Sequence, residues 1–328
     1  MSNLESYPPV FRHQKKEESQ KYDAVDEEDS LDPIPRIDFQ CINLEKLGEA
    51  CKDWGLFRLV NHQAPLTLMS QLQQLAKKIF SLSFESKQGL FTEPVSYTWG
   101  TAALTPSGAG LSISPKHINW VEGINVPLSH LSLFEAAADP MLHTFSVLLE
   151  EYGRHMGRLA KTLFEAMVKN LNLGSEKSNY NLSESTAYVR IYRYPSLPET
   201  AEAVGMELHT DSSVLSILNP DEVGGLELLK DGKWFEVKPI PGTMIVNLGD
   251  MMQAISNDEY MSAKHRVMVK KKMERLSVCY FVFPEEGNVI RSPNYKPFTY
   301  RDFQAQVQND LKTLGYKVGL ERFKINED

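Results

Sequence analysis

The stretch that decides the fold is a succession of short apolar runs separated by turn residues, and it reads Val214-Leu215-Ser216-Ile217-Leu218, Gly224-Gly225-Leu226-Glu227-Leu228-Leu229, Asp231-Gly232 and Trp234-Phe235-Glu236-Val237. Runs of this kind predict strands, and the Asp-Gly pair predicts a type I′ hairpin turn. Further strands are predicted over residues 243–250, 267–269 and 276–283, after a Pro- and Gly-rich break. Closely spaced strands with turn signals predict a sandwich or barrel of the jelly-roll kind.

Helices are predicted outside this strand-rich region. One begins near Asn43 and ends at Gly55, and a second spans about residues 65–81. A long helix begins with Asp139-Pro140 as N-cap and first residue and runs to about Leu173, where Gly174 closes it. Its apolar residues recur at spacings of three and four, so this face is predicted to pack against the sheet. These residues are Leu142, Phe145, Leu148, Leu149, Tyr152, Met156, Leu159, Leu163 and Met167.

The sequence contains a candidate metal site, two residues of which come directly before the strand-rich region. Side chains alternate along a strand, so His209 and Asp211 are predicted to project to the same side, where together they can hold one cation. His265 follows 56 residues after His209. Two imidazoles and one carboxylate on one face of an ion leave its other face open for oxygen and substrates, as in non-haem Fe(II) oxygenases. The His-x-Asp pair alone is weak, and its context carries the prediction.

A candidate anion anchor follows the third proposed ligand. Arg275 and Ser277 are also two residues apart, so a strand would turn their guanidinium and hydroxyl to one side. Such a fork of donors suits a carboxylate held near the metal.

In these motifs the chain resembles the plant 2-oxoglutarate and Fe(II)-dependent dioxygenases. The resemblance covers about residues 34–320 and includes the H-x-D pair, V-N-L-G-D (246–250), S-A-K-H-R-V (262–267) and R-L-S (275–277). It implies a double-stranded β-helix, or jelly-roll, core with flanking helices in an α+β fold. It implies iron bound by His209, Asp211 and His265, with 2-oxoglutarate and O2 as co-substrates. The same resemblance implies ascorbate as a reductant.

The resemblance also assigns the far carboxylate of 2-oxoglutarate to Arg275, Ser277 and Tyr194. Tyr194 is the tyrosine of a family N-x-Y signature, but Tyr192 stands where the family usually has Asn. The Pro-x-Cys-Pro that normally follows reads Pro195-Ser196-Leu197-Pro198 here. Tyr192 is bulkier than Asn and has one hydroxyl in place of an amide, so we expect it to alter substrate choice while leaving chelation intact.

The substrate is predicted only by class. The stretch His117-Ile118-Asn119-Trp120-Val121-Glu122-Gly123 resembles W-x-E-G in gibberellin oxidases, which favours a carboxylated diterpenoid hormone as substrate. Hydroxylation is the expected reaction, and desaturation or repeated oxidation stays open. Relatives that act on other hormones or on flavonoids share the catalytic motifs, so that alternative stays open. The residues predicted to line the substrate cavity are Tyr97, Trp99, Trp120, Tyr192, Phe281 and Phe283.

Composition fits such an enzyme. The chain has 328 residues, 42% of them hydrophobic, three cysteines and a net charge of −8. Apolar runs are too short to cross a bilayer, and no signal peptide is recognisable, so a cytoplasmic location is expected, with entry into the nucleus by diffusion. No basic cluster predicts nucleic-acid binding. We expect a monomer whose partner is a small-molecule substrate.

The predicted organisation is a flexible acidic tail over residues 1–32, an amino-terminal region over 33–130, and a compact unit over 131–328 that holds the long helix, the catalytic core and a C-terminal helix. Three other readings compete with the dioxygenase. The first, a structural polar cluster, would explain the H-x-D pair alone but not the whole ordered set of motifs. A zinc hydrolase would need a general base and has no use for Arg275 and Ser277. A catalytically inactive binding relative is favoured only by Tyr192.

Overall fold

The computed structural model describes residues 4–14, 32–100, 118–135, 139–173, 182, 186–196 and 203–325. Within these ranges two β-sheets face each other, and helices cover the outer side of the larger sheet. The helices are α1 (Leu44–Asp53), α2 (Leu66–Phe80), α3 (Phe84–Leu90), α4 (Ser132–Glu135), α5 (Pro140–Asn170), α6 (Asp250–Ile255) and α7 (Tyr300–Thr313). Short 3₁₀ helices lie at Leu4–Ser6, Pro9–Gln14, Leu128–His130 and Gly319–Arg322.

The strands carry the predicted sandwich. They are β1 (Arg36–Asp38), β2 (Leu56–Val60), β3 (Ser96–Trp99), β4 (Glu122–Pro127), β5 (Tyr188–Tyr194), β6 (Val204–His209), β7 (Leu215–Pro220), β8 (Leu226–Lys230), β9 (Lys233–Glu236), β10 (Met244–Leu248), β11 (His265–Met268), β12 (Arg275–Val282), β13 (Val289–Ser292) and β14 (Tyr295–Thr299). The large sheet has the order β1-β2-β10-β7-β12-β5-β4-β3, and the small sheet has the order β6-β11-β8-β9. This arrangement confirms the predicted jelly-roll core with flanking helices.

The larger hydrophobic core lies between the large sheet and the helices. Helix α5 packs against α1, α2, β7 and β12. The residues of its predicted apolar face are buried, except Leu148, which is partly buried against the same core. This core packs against one face of β7 and β12 and so supports these two strands. Their other face lies toward the small sheet.

A second, smaller hydrophobic core lies between the two sheets. Leu226, Leu228 and Val267 from the small sheet meet Tyr194 and Phe281 from the large sheet. We call the part of this space next to His209 and His265 the inter-sheet cavity. Side chains reach it from alternate positions of β5 and β12, as strand geometry requires.

The predicted capping residues mark the observed starts of α1 and α5. The Asn43 side chain accepts a hydrogen bond from the backbone N–H of Lys46, and the Asp139 side chain caps the start of α5. Gly55 follows α1 with a φ of +63°, a conformation that favours glycine. Helix α5 ends at Asn170, three residues earlier than predicted, and Gly174 lies outside the described residues.

One predicted strand is too long. Residues 243–250 were predicted as a strand, but β10 ends at Leu248 and α6 begins at Asp250. The Gly249 position explains the break, because a Cβ there would lie 2.2 Å from the backbone oxygen of Ser213. Glycine therefore allows the chain to turn close to the segment that carries Asp211.

The segment predicted as an acidic tail requires a correction at its start. Tyr7 and Phe11 are only 3% and 4% exposed and pack on Trp99 and Trp120. Arg12 adds an ion pair with Glu85 at 2.6 Å. These contacts connect residues far apart in the chain, which is why the polar local sequence did not indicate them. The division into regions remains a prediction.

Within the described ranges, none of the helices combines the length and the apolar character that a membrane crossing requires.

The packing of residues 4–14 is testable by stability measurements. Phe11→Ala should lower the free energy of unfolding by about 3 kcal/mol, because a buried aromatic side chain is lost. Val10 is 38% exposed, so Val10→Ala serves as the matched control and should change the free energy by less than about 0.5 kcal/mol. Denaturant titration measures both, and equal stabilities of the two variants would show that Phe11 is not packed.

Candidate functional site

His209 and His265 lie directly opposite each other on neighbouring strands of the small sheet. They form a cross-strand pair between β6 and β11, and their ring centroids are 4.2 Å apart. The Nδ1 atom of His209 donates to the backbone oxygen of Glu207 at 2.7 Å, and that of His265 donates to Ala263 at 3.0 Å. A carbonyl can only accept, so Nδ1 carries the proton in both rings and each Nε2 keeps its lone pair for a metal.

Burial favours the neutral form of His209. Burial, followed by the nearby His265, lowers the pKa of His209 to about 4. A histidine must be neutral to bind a metal, so this environment prepares the imidazole for that role near neutral pH.

Asp211 lies beyond the end of β6, which corrects the expectation that the whole H-x-D pair is on a strand. Its Oδ2 atom accepts hydrogen bonds from the Ser216 hydroxyl at 2.9 Å and from the Asn247 amide at 2.6 Å. Its Oδ1 atom lies 3.7 Å from Nε2 of His209 and 4.0 Å from Nε2 of His265. The two hydrogen bonds to Oδ2 therefore orient the carboxylate so that Oδ1 faces the two imidazoles.

The charge on Asp211 is stabilised in place. Burial by itself raises the pKa of this carboxyl, but His265, His209, the Ser216 hydroxyl and Lys317 outweigh it and hold the pKa below its usual value. The carboxylate therefore stays ionised, as a metal ligand must be.

The loop that carries Asp211 is fastened from the C-terminal part of the chain. The ammonium group of Lys317 donates to the backbone oxygen of Thr210 at 2.6 Å and forms an ion pair with Asp250 at 2.7 Å. The backbone N–H of Asp250 donates in turn to the backbone oxygen of Asp211 at 2.8 Å. Lys317 thus links the metal loop to the start of α6.

The donor set fits Fe(II). One ligand atom from each of His209, Asp211 and His265 lies within 4.8 Å of the other two. Two neutral imidazoles and one carboxylate on one side of an ion are the donor set of non-haem Fe(II) oxygenases, and that arrangement leaves positions open for co-substrates.

The predicted anion anchor is assembled across two strands of the large sheet. Arg275 of β12 pairs with Tyr194 of β5, and the guanidinium carbon lies 4.8 Å from the centroid of that ring. Nη1 of Arg275 donates to the Ser277 hydroxyl at 3.5 Å. Arg275 is 2% exposed, and its Nε atom has no hydrogen-bond partner among the described residues. A buried donor of this kind fits the far carboxylate of 2-oxoglutarate.

Tyr194 remains a proton donor in this surrounding. Burial raises the pKa of Tyr194, and the nearby Arg275 opposes that shift without cancelling it. Space for the ring comes from Gly205, where a Cβ would lie 2.6 Å from the ring of Tyr194.

Three of the predicted cavity residues lie on the same face as this anchor. Tyr192 rests against Gly123, where a Cβ would lie 3.0 Å from the ring. Phe281 lies under the guanidinium of Arg190, whose carbon is 5.0 Å from the ring centroid. Phe283 stacks on Tyr300 with centroids 4.5 Å apart. Their contact with a substrate remains a prediction.

The other three predicted cavity residues belong to a separate cluster. Trp99 and Trp120 pack edge to face with centroids 4.8 Å apart, and Tyr7 and Phe11 cover them. The Tyr97 hydroxyl donates to Glu122 at 2.5 Å. The structure does not bring these three residues together with Tyr192 and Phe281, and their role toward a substrate stays a prediction.

The glutamate of the W-x-E-G stretch has a structural environment. Glu122 is fully buried and forms ion pairs of 2.6 Å with both Lys87 and Arg193. The glycine of the same stretch, Gly123, is the residue that faces Tyr192. His117, Leu197 and Pro198 lie outside the described residues.

Sequence reasoning missed the groups that support the ligands. Ser216 is a polar residue within an apolar strand, and that interruption is the signal that would have found it. Asn247 lies in the V-N-L-G-D stretch, but the sequence alone did not indicate its contact with Asp211. Lys317 gave no local signal, because its contacts are more than 60 residues away in sequence.

Comparisons with known proteins agree with this geometry. A family model described as 2OG-Fe(II) oxygenase superfamily matches residues 184–284. A second one, described as non-haem dioxygenase in morphine synthesis N-terminal, matches residues 34–133. Gibberellin 2-beta-dioxygenase 8 of Arabidopsis thaliana is 36% identical over 285 residues, which are 85% of this chain and 80% of that protein.

Two more similar proteins add to this picture. Gibberellin 2-beta-dioxygenase 6 of Oryza sativa subsp. japonica is 34% identical over 312 residues, covering 88% of this chain and 84% of that protein. The solved structure of JOX2 in complex with 2OG, Fe, and JA is 26% identical with a TM-score of 0.74, and the match covers 94% of this chain and 96% of that chain.

Removing one proposed ligand should abolish productive iron binding. His265→Ala should remain folded and lose Fe(II)-dependent turnover of 2-oxoglutarate, because the two remaining ligands lose most of the chelate advantage. The exposed His143 provides His143→Ala as a control with normal turnover. Wild-type turnover by purified His265→Ala would remove this residue from the metal site.

The affinity for 2-oxoglutarate should depend on the shape of the Arg275 side chain as well as on its charge. Arg275→Lys replaces a planar fork by a single ammonium group, so the concentration of 2-oxoglutarate needed for half-saturation should rise about tenfold or more while Fe(II) still binds. Arg301 is exposed, and Arg301→Lys should leave that concentration unchanged. The assignment fails if Arg275→Lys also leaves it unchanged.

Lys317 should support the metal without touching it. Lys317→Met should weaken Fe(II) binding about tenfold, in the range seen when groups that orient metal ligands are removed. Lys312 is exposed on α7, so Lys312→Met controls for the loss of a lysine. Calorimetric titration with Fe(II) under anaerobic conditions measures the affinity, and equal affinities in both variants would contradict the role of Lys317.

Proposed function

Since the chain belongs to the 2OG-Fe(II) oxygenase superfamily, we propose that it hydroxylates a small plant metabolite, and that this metabolite is a gibberellin. The chain is an oxidoreductase, a dioxygenase that uses Fe(II) and 2-oxoglutarate. The observation that carries the choice of substrate is the 36% identity to a gibberellin 2-beta-dioxygenase over 85% of this chain.

In this proposal His209, Asp211 and His265 hold the iron. Their orientation is fixed before the metal arrives, because each imidazole donates to a backbone oxygen and Asp211 is held through Oδ2. A site whose ligands are already aimed loses little conformational entropy when it binds the metal.

Arg275, Ser277 and Tyr194 hold the far carboxylate of 2-oxoglutarate. Iron with 2-oxoglutarate and O2 supplies the oxidising power, and the overall balance adds one oxygen atom to a substrate C–H bond while 2-oxoglutarate becomes succinate and CO2. The protein places the substrate next to the open side of the metal. Tyr192, Phe281 and Phe283 line that side of the inter-sheet cavity in this proposal.

The inactive alternative has little support in the site. Every group proposed to bind iron or 2-oxoglutarate is present, and the buried Nε of Arg275 is ready for an anion. Tyr192 departs from the family pattern, but it is neither a metal ligand nor part of the Arg275 anchor.

A panel of substrates tests the proposal. Purified enzyme with Fe(II), 2-oxoglutarate and ascorbate is incubated with gibberellins, flavonoids, auxin-like acids and JA. Succinate release and the product mass are measured for each compound. We expect a gibberellin to stimulate succinate release most strongly and to gain one oxygen atom.

Other outcomes contradict distinct parts of the proposal. Stronger stimulation by a flavonoid, an auxin-like acid or JA would overturn the gibberellin assignment and keep the dioxygenase. If the anaerobic Fe(II) protein shows no charge-transfer band with 2-oxoglutarate and no compound releases succinate, the chain is the inactive binding relative.

A further inference from the structure

Arg190 faces the inter-sheet cavity from the middle of β5. Burial alternates along this strand. Val189 and Ile191 are fully buried in the larger core, whereas Arg190 and Tyr192 are partly accessible to solvent. Strand β5 lies inside the large sheet between β4 and β12. Solvent access at these alternate positions therefore comes through the cavity and not from a sheet edge.

The guanidinium of Arg190 is held in one orientation. Its Nε atom donates to Oδ1 of Asn125 at 2.9 Å, and its carbon lies 5.0 Å from the centroid of Phe281. Tyr192 is the next residue on the same face of β5, so its phenol group lies beside this guanidinium. Phe281 pairs in register with Ser216, whose hydroxyl donates to Asp211, so Phe281 and Ser216 connect the Arg190 guanidinium to the loop of the proposed metal ligand.

Arg190 has no anionic partner in the described part of the chain. Other interior arginines do: Arg193, on the opposite face of β5, forms a 2.6 Å ion pair with Glu122, and Arg58 forms a 2.8 Å ion pair with Asp32. No carboxylate of the described residues lies within 4.0 Å of Arg190. An interior cation without a counter-charge is costly, which suggests that a ligand supplies one.

A guanidinium pairs with carboxylates, so an anion is the ligand expected at Arg190. Arg190 pairs in register with Cys279, four residues from Arg275 along β12, which is about 13 Å at ordinary strand rise. Arg275 and Arg190 are thus suited to two different anions.

We propose that Arg190 binds the carboxylate of the substrate, and that Tyr192, which replaces the usual Asn, is a positioning residue that holds the Arg190 guanidinium toward the cavity. This inference rests on the proposed oxidation of a small metabolite and narrows it to an acid. The ring of Tyr192 occupies the space left by Gly123, so the two residues together set the position of the phenol group.

Binding measurements on the anaerobic Fe(II)–2-oxoglutarate protein test the proposal. Each acid of the substrate panel is titrated by calorimetry beside its neutral methyl ester. For the acid that proves to be the substrate, wild type should bind the acid at least about tenfold more tightly than the ester, since charged hydrogen bonds contribute that much. Arg190→Gln should reduce this ratio to about one, and Arg190→Lys should keep part of it.

Controls separate a local effect from a general one. Arg154 is exposed on α5, and Arg154→Gln should keep the wild-type acid-to-ester ratio. Titration of the charge-transfer band should give the same 2-oxoglutarate affinity in wild type and Arg190→Gln, and thermal unfolding checks that each variant is folded. If Arg190→Gln loses 2-oxoglutarate affinity but keeps the acid-to-ester ratio, Arg190 belongs to the co-substrate site and the proposal is overturned.

The positioning role has its own readout. Tyr192→Phe removes only the hydroxyl and should lower the acid-to-ester ratio about threefold without shifting the charge-transfer titration. Tyr316 is 61% exposed, and Tyr316→Phe is the matched control. An unchanged ratio in both Tyr192→Phe and Tyr192→Asn would overturn the role of Tyr192.

The two proposals fail in different ways. If a gibberellin is the substrate and Arg190→Gln keeps the acid-to-ester ratio, only the inference about Arg190 fails. If another acid is the substrate and the ratio collapses in Arg190→Gln, only the gibberellin assignment fails. Preference of wild type for a neutral flavonoid or for an ester would overturn both.

Discussion

The two hydrogen bonds that occupy Oδ2 of Asp211 are the constraint on which the site depends. Asp211 stands on a loop, but its partners Ser216 and Asn247 stand on β7 and β10, two adjacent strands of the large sheet. The loop carboxylate thereby acquires the rigidity of that sheet. The imidazoles of His209 and His265 belong to the small sheet. The proposed metal therefore connects two sheets, and the packing between them fixes the distance from carboxylate to imidazoles.

Features with a local cause could be predicted from the sequence. The starts of α1 and α5 follow from the side chains of Asn43 and Asp139, which accept hydrogen bonds from the first turn. The grouping of His209, Asp211 and His265 was also predictable, although the strand alternation used for it was wrong at Asp211. Asp211 still lies beside the two imidazoles, because β6 ends at His209 and the loop that follows turns back. The backbone N–H of Asp250 holds this loop by donating to the backbone oxygen of Asp211.

Features that depend on distant contacts could not be predicted. Residues 4–14 read as part of a polar tail, and their two buried aromatic rings meet tryptophans that are more than 80 residues away. The same limit applies to Arg190. Its sequence neighbour Arg193 is equally basic, and only the pairing of β5 with β4 and β12 shows that one guanidinium has Glu122 and the other faces the cavity.

Strand β5 separates two tasks by the side to which each residue points. Val189, Ile191 and Arg193 face the helices, where they join the larger core and the buried ion pairs. Arg190, Tyr192 and Tyr194 face the opposite way. Evolution can therefore diversify the second set without dismantling the first, and a protein engineer who wishes to retarget the enzyme has the same freedom. A single-residue insertion in β5 would have the reverse effect, because it would exchange the two sets and destroy scaffold and selectivity together.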